Sequence, residues 1–510
     1  MNLRLLIFLS FYRVCHSQNY LKLTRLLLQH QEDFISSVGN DTECAKQLRL
    51  FTKDLNEFRT WTIMMLDSTA KLESGLLQGR VIMMGSYDEC LEISDYSNGS
   101  YIEGQFCTTT VTPTESTLQC INNQMAEYFQ DAKMNNLTHL IDMKWGVCSM
   151  SACSPDQLQQ LWDFIENRYQ IRFHVKFVDN TCYKKSKTRD LTLVDTIAIY
   201  IFGVLVLLLL SSTLYDILFF QQKHEKKWNL WVTFSLYNNA KRLLSTKKED
   251  ETNITCLYGI RVIFMAWIVL GHSYFIYLYM MSVNNIQLIT LLQQDSSMFI
   301  LGAYASVDTY LLISGCLIVY ITSLAKERGT PISLLVFYVH RVLRLSPAYA
   351  AVMLISAGPI VYFGSGPFWN NVNQAFEKRC IGGWWQNLLY IQNYYGADAG
   401  CLIQGWYLAV DTQLYFISPV IFLLLQKWSK GGIIVTVFLI ICSVVVNIVA
   451  TYYYNIDSLT PQTMEDYFLQ LYSRTHFRAA PWLVGTLLGH ALLIYRKKRV
   501  IMNKVSCTIY

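Results

Sequence analysis

Between residues 191 and 495 the chain carries a succession of apolar runs, each about as long as a bilayer core is thick. In hydrocarbon every backbone N–H and C=O must be paired within the protein, so such runs are read as helices crossing a membrane. The candidate spans are 196–220, 258–281, 297–323, 345–363, 409–427, 432–453 and 479–495. The fourth is the weakest, because Pro347 and Pro359 bracket it. Hydrophobic residues make up 52% of the chain and charged residues 15%; soluble proteins carry about 25% charged residues. The expected fold class is therefore an all-α polytopic membrane bundle over 196–495, preceded over 18–190 by a disulfide-rich, mainly helical extracellular domain.

The connectors set the orientation. "QQKHEKKWN…AKRLLSTKKED", "AKERG…HRVLR", "QKWSK" and "YRKKR" follow alternate spans and are basic. The positive-inside rule places them in the cytoplasm and residues 18–190 outside. Clusters of this kind orient a membrane protein; they do not form a face for nucleic acid. Residues 1–17, "MNLRLLIFLSFYRVCHS", have the charged start and apolar centre of a signal peptide. Cys44, Cys90, Cys107, Cys120, Cys148, Cys153 and Cys182 follow, an odd number whose connectivity is open. Three sequons, at Asn40, Asn98 and Asn136, fit the same oxidising side. A fourth, at Asn253, falls on the cytoplasmic side and is expected to stay unmodified. "CSMSAC" is too loose for a zinc site, and no metal is expected.

Within 18–190, "CAKQLRLFTKDLNEFRTWTIMMLDSTAKL" has helical spacing, and "SPDQLQQLWDFIENRYQ" opens with Ser154 as N-cap and Pro155 behind it. "RFHVKFV" alternates and predicts a strand, while the glycine-punctuated "ESGLLQGRVIMMGSYDECLEI" predicts loop with a short strand.

Ionisable residues inside apolar spans cost a few kcal/mol unless something offsets the cost. The second span holds Arg261 near its cytoplasmic end and His272 about 14 Å from its outer end at 1.5 Å per residue. Asp308, in the third span, lies about 17 Å from the same surface, so it is expected to pair with His272 and orient the ring. A histidine so placed can act as general base toward a hydroxyl; packed between helices, it is simply a hydrogen-bonded polar residue. Arg341 and Arg344, in the third-to-fourth connector, share a helical face. Either they are ordinary positive-inside charge, or with Arg261 they grip the phosphates of a donor at the cytoplasmic mouth. Arg474 and Arg478 reach the outer mouth of the seventh span, where Asp411 or a substrate could meet them. Cys380 and Cys401 share one outer loop and are expected to pair.

The series "CLYGIRVIFMAWIVLGHSY", "SVDTYLLISG", "HRVLRLSPAY", "WWQNLLYIQN", "WYLAVDTQLYFISP" and "YSRTHFRAAPWLVGTLLG" resembles the acyltransferase-3 membrane family. "LDSTAKLESGLLQG", "GSYDECL" and "CSMSACS" resemble the N-terminal domain of nose-resistant-to-fluoxetine proteins, an animal branch that fuses the two parts. The resemblance covers nearly all of 44–495. It implies transfer of an acyl group, from acyl-CoA as donor substrate, to a hydroxyl acceptor across the membrane, with no permanently bound cofactor. His272 would be the base and Arg261 its companion. It also implies about three or four further helices beyond residue 495. Lipid or small-molecule transport through the same bundle, without chemistry, is the alternative. A seven-span receptor is a distant third, since the third span ends "TSLAKERG" and the seventh lacks "NPxxY". The expected location is the plasma membrane or endoplasmic reticulum, with membrane lipids, donor and acceptor as partners.

Overall fold

The computed structural model describes residues 31–39, 41–71, 80, 82–114, 143–169, 173–178, 181–186, 190–222, 229–246, 252–279, 291, 294–330, 332–396, 400–454 and 467–496. Residues 1–17, Asn40, Cys120 and Asn136 lie outside them. The chain forms two compact units: residues 1–190 with 276–297 and 364–372, and residues 191–275 with 298–363 and 373–510.

The first unit begins with α1 (Gln31–Val38), α2 (Glu43–Asn56) and α3 (Thr60–Ser68). Thr42 caps α2, its Oγ1 accepting from Ala45 N at 3.2 Å. The long helical stretch read from the sequence breaks between α2 and α3, where Phe58 takes a positive φ of 54°. Next come β1 (Ile82–Met83), α4 (Tyr87–Glu92), β2 (Ser94–Ser97), β3 (Ser100–Pro113), β4 (Met143–Met150), α5 (Pro155–Tyr169), β5 (Phe173–Lys176) and β6 (Cys182–Lys184). Ser154 caps α5 as expected: Gln157 N donates to its Oγ at 3.3 Å, and its own N donates to Gln157 Oε1 at 3.0 Å. Helices carry more of this unit than strands do, yet its centre is a six-stranded sheet built on β3. β3 pairs antiparallel with β2, β4, β5 and β6, while β1 adds in parallel to β4. Cys44–Cys153, Cys90–Cys148 and Cys107–Cys182 tie helices and strands around a core of Trp61, Phe106, Ile93 and Ile102. Three such bridges place this domain in an extracellular or lumenal compartment.

The second unit holds α6 (Leu193–Tyr215), α7 (Leu236–Leu243), most of α8 (Cys256–Tyr279), α9 (Ser306–Glu327), α10 (Leu334–Ala357), most of α11 (Trp369–Leu388), α12 (Trp406–Lys427), α13 (Ser429–Tyr453) and α14 (Ala479–Tyr495). Among the described residues, five segments are long and apolar enough to cross a membrane: Leu193–Phe220, Cys256–Tyr274, Asp295–Glu327, Ile403–Lys427 and Ser429–Tyr453. The other two expected spans differ. Ala479–Tyr495 is apolar but only 17 residues long. The span read as 345–363 is instead the C-terminal half of α10, which starts at Leu334 and runs through Pro347. A proline removes one backbone bond and strains its turn, but in a bilayer an unpaired loop costs more, so the helix continues.

α9 and α12 form the centre, with 50% and 61% of their apolar windows buried, against 6% to 11% for α6, α8 and α13. α9 lies against α14 at very short range. A Cβ at Gly315 would fall 2.1 Å from Trp482 O, at Gly485 2.0 Å from Leu312 O, and at Gly489 2.3 Å from Cys316 O. "GTLLG" (485–489) is the small-xxx-small spacing by which helices approach closely in lipid. Ends predicted to share a side are found together. On the cytoplasmic side Lys326 Nζ donates to Gln426 O at 3.4 Å, and Ser429 Oγ and His490 Nε2 are bonded at 2.9 Å. On the outer side Asn393 Nδ2 donates to Ser473 O at 3.1 Å and Asn447 Nδ2 to Phe477 O at 2.8 Å.

Candidate functional site

α8 packs on the bundle through Trp267 and Gly271, leaving Arg261 half-buried and His272 exposed at its surface. Trp267 stacks on Phe299 with ring centroids 5.1 Å apart and donates its Nε1–H to Phe299 O at 2.7 Å. One turn on, a Cβ at Gly271 would lie 2.3 Å from Ala303 Cβ, so the two backbones nearly touch beside His272. His272 Nδ1 is 2.9 Å from Ile268 O. A carbonyl only accepts, so Nδ1 carries a proton in this bond and Nε2 is the ring nitrogen left facing away from it.

Asp308 does not pair with His272. It sits in the first turn of α9, after a 3-10 turn over Gly302–Ala305, and takes two bonds from Arg478 Nη1, at 3.0 and 3.1 Å. A single guanidinium nitrogen spans both carboxylate oxygens and brings a permanent charge, which suits the arginine to this partner. Arg478 lies 3.9 Å over the Tyr472 ring and donates from Nε to Tyr472 O at 3.0 Å. Tyr472 in turn donates to Tyr304 O at 3.0 Å. Asp308, Arg478, Tyr472 and Tyr304 thus form one polar knot.

The expectation that Asp411 meets Arg474 or Arg478 is likewise overturned. Asp411 is bound by Arg341 Nη2, and its other oxygen accepts from Ser314 Oγ at 2.6 Å. Arg341 lies 4.7 Å over the Tyr415 ring. Arg341 and Arg344 are not in a connector at the cytoplasmic mouth; both lie within α10. Along the helix axes Asp411 stands about 24 Å above Lys427 and Ser314 about 20 Å above Glu327, so the pair lies deep within the bundle. α10 runs antiparallel to α12, matching Tyr338 to Phe416 and Arg341 to Asp411. Arg261 is higher than expected too, since Tyr310 donates to its backbone carbonyl at 2.5 Å. Tyr407 sits within electrostatic reach of Asp411, Arg341, Tyr310 and Arg261. Among the described residues, the guanidiniums of Arg261 and Arg344 and the Nε of Arg341 have no partner.

Tyr407 and Tyr415 were not singled out in the sequence. The signal was present: Tyr407, Asp411 and Tyr415 recur every fourth residue and share a helix face. Ser314 and Tyr310 repeat the spacing on α9.

The outer loop is clamped by buried amides. Cys380 and Cys401 are joined. Asn387, fully buried, donates to Tyr349 OH at 2.5 Å and accepts from Cys401 N at 2.6 Å. Gln413 Nε2 donates to Tyr390 O at 2.6 Å and Asn393 Oδ1 at 3.0 Å. His476, in the outer connector, stacks near Tyr394, and burial together with the Arg474 charge holds its pKa below the ordinary value. No group of side chains able to hold a metal occurs among the described residues.

A bundle of long apolar helices with a charge network in its interior defines a polytopic membrane protein. Residues 254–503 match the family described as an acyltransferase domain, and residues 44–162 match the nose resistant-to-fluoxetine protein, N-terminal domain. The chain is thus a nose-resistant-to-fluoxetine-like protein of the acyltransferase-3 membrane family. It is similar to Nose resistant to fluoxetine protein 6 of Caenorhabditis elegans, 26% identical over 89% of this chain and 61% of that protein. Regulator of hypoxia-inducible factor 1, also of Caenorhabditis elegans, is 27% identical over 34% of this chain and 37% of its own length. Peptidoglycan O-acetyltransferase OatA of Listeria monocytogenes is 28% identical over 26% of this chain and 21% of its own. The chain spans 61% of the length of the first of these relatives. No solved structure matches it.

Proposed function

We propose that the protein is a membrane O-acyltransferase that moves an acyl group from acyl-CoA to a hydroxyl acceptor on the extracellular or lumenal side. The observation that carries the reading is the His272 tautomer: Nδ1 is committed to Ile268 O, which leaves Nε2 as a base. The acceptor oxygen attacks the thioester carbonyl as its proton passes to Nε2. The carbon–sulfur bond then breaks, and the proton goes to the departing thiolate. Arg261 and His272 are about 16 Å apart along α8 at 1.5 Å per residue, too far to act on one acyl carbonyl. Their duties therefore divide: Arg261, with the spare Nε of Arg341, meets the anionic part of an extended donor, and His272 meets the acceptor. Arg344 adds positive charge at the same helix, and Asp308 acts through Arg478 to hold the outer knot. The acyltransferase-domain match and the similarity to an O-acetyltransferase support the class of reaction. The disulfides support the extracellular or lumenal side, and the plasma membrane or endoplasmic reticulum is the proposed site of action.

The test is acyl-CoA turnover by the purified protein and by His272→Ala. The parent is expected to turn over, and the variant to lose about 10² to 10⁴-fold in rate while still binding donor. Equal rates would sink the base assignment, and a parent without turnover that still moves lipid would favour transport.

A further inference from the structure

Asn98 and Gly99 form the two-residue turn of the β2–β3 hairpin, with φ of 47° and 82°. Ser97 and Ser100 close it as cross-strand partners. Two consecutive positive φ angles on Asn-Gly make the turn that matches the twist of the flanking strands. The hairpin is anchored from beneath. Ser97 is buried, and its Oγ donates to Asp54 Oδ2 at 2.7 Å, which also accepts from Trp61 Nε1 at 3.0 Å. From α2, Gln47 Nε2 donates to Tyr101 O at 3.1 Å. The tip therefore has one fixed orientation.

On its outer face Tyr96 and Tyr101 pair across the strands, ring centroids 5.1 Å apart, yet they are 72% and 49% exposed. Asn98 opens the turn directly after β2, two residues from Tyr96 and three from Tyr101, so a sugar attached to it is within reach of the pair. Asn98 is exposed and opens the sequon "NGS". The disulfides already place the domain where such sequons are used.

We propose that Asn98 carries an N-linked glycan whose first sugar rests on the Tyr96–Tyr101 pair. The Asn98 amide nitrogen bonds to the anomeric carbon of a polyprenyl-pyrophosphate-linked oligosaccharide, losing a proton as the lipid pyrophosphate leaves. The C–H face of a pyranose fits an aromatic surface, and the tyrosine hydroxyls at the ring edges can bond to sugar oxygens. Two rings otherwise left in water thereby gain a covalently tethered partner.

The test uses the whole chain expressed in secretory cells with Asn40→Gln and Asn136→Gln, and peptide-N-glycosidase, which cuts the asparagine–sugar bond. One glycan is expected, lost with Asn98→Gln. Its release from the native protein should be several-fold slower than from Tyr96→Ala/Tyr101→Ala, with equal rates after denaturation. Tyr96→Phe/Tyr101→Phe keeps the rings and should keep the slow release, which separates loss of the platform from loss of the fold. An unmodified Asn98, equal native rates for parent and alanine variant, or fast release from the phenylalanine variant would each overturn the proposal.

Discussion

Asp411→Asn should be among the most damaging single changes in the bundle, because it strands the Arg341 charge. Arg341 and Asp411 side chains are 20% and 9% exposed, and both lie on helices packed within the membrane unit. Removing one partner of a buried pair costs about 3–5 kcal/mol. An arginine at the centre of a membrane helix costs about 2.5–3.5 kcal/mol by insertion measurements. The estimates meet near about 3 kcal/mol, the lower end being apt for a guanidinium one-fifth exposed. The asparagine oxygen can still accept from Ser314 Oγ, so little is lost there. Arg341→Gln should cost less, because an unpaired carboxylate can take up a proton and an unpaired guanidinium cannot lose one. The double variant should recover to within about 1 kcal/mol of the parent, since neutral groups of similar shape replace the pair. A double-mutant cycle on thermal unfolding in detergent reads the coupling. If the two single losses simply add, the pair is not energetically coupled and the contact is incidental.

Gly485→Ala should weaken the α9–α14 packing by about 1–3 kcal/mol, because its Cβ would lie 2.0 Å from Leu312 O. Gly203→Ala, with nothing within 4 Å, is the control, and equal melting of the two variants would refute the close packing. Replacing Cys380 and Cys401 together by serine opens a loop with a sequence separation of 21 and should cost about 3 kcal/mol in thermal unfolding. No loss would mean that the buried Asn387 clamp holds the loop alone. Glu89 has its pKa raised, first by burial and then by the Asp67 charge. A raised folded pKa gives stability that is full below the unfolded value of about 4.3 and lost as pH rises through the folded value. Glu89→Gln should therefore raise the melting temperature at neutral pH and not near pH ~3; the same shift at both would refute the assignment.

Five of the seven spans, their order and the capped start of α5 were legible in the sequence because they rest on local signals: hydropathy, alternate basic connectors, and Ser-Pro before a helical period. The sheet was less so. "SYIEGQFCTTTVTP" becomes β3, the partner of four other strands, but its pairing depends on distant segments. One local signal was there to use, the Asn-Gly of the β2–β3 turn. Hydropathy misplaced Arg341 and Arg344 for a related reason. It treats two arginines near an apolar run as its boundary, whereas Asp411, which balances Arg341, arrives 70 residues later.

This exchange of partners changes how the interior charges should be understood. The sequence offered three arginines at one entrance and a histidine–aspartate pair beyond them. The structure gives each carboxylate to an arginine: Asp308 to Arg478 and Asp411 to Arg341. Each pair joins two helices, so these charges first hold the bundle together at two heights. What they leave over includes the guanidiniums of Arg261 and Arg344 and the Nε2 of His272; Arg261 and His272 stand on one helix, about 16 Å apart along it. A substrate serving both must be long, anionic at one end and reactive at the other. It would lie along α8, past the face where Tyr310 bonds to the Arg261 carbonyl and Gly271 meets Ala303. A short acyl anion could engage only one of the two positions, so on the proposed function an extended donor would account for both residues in a single apolar helix.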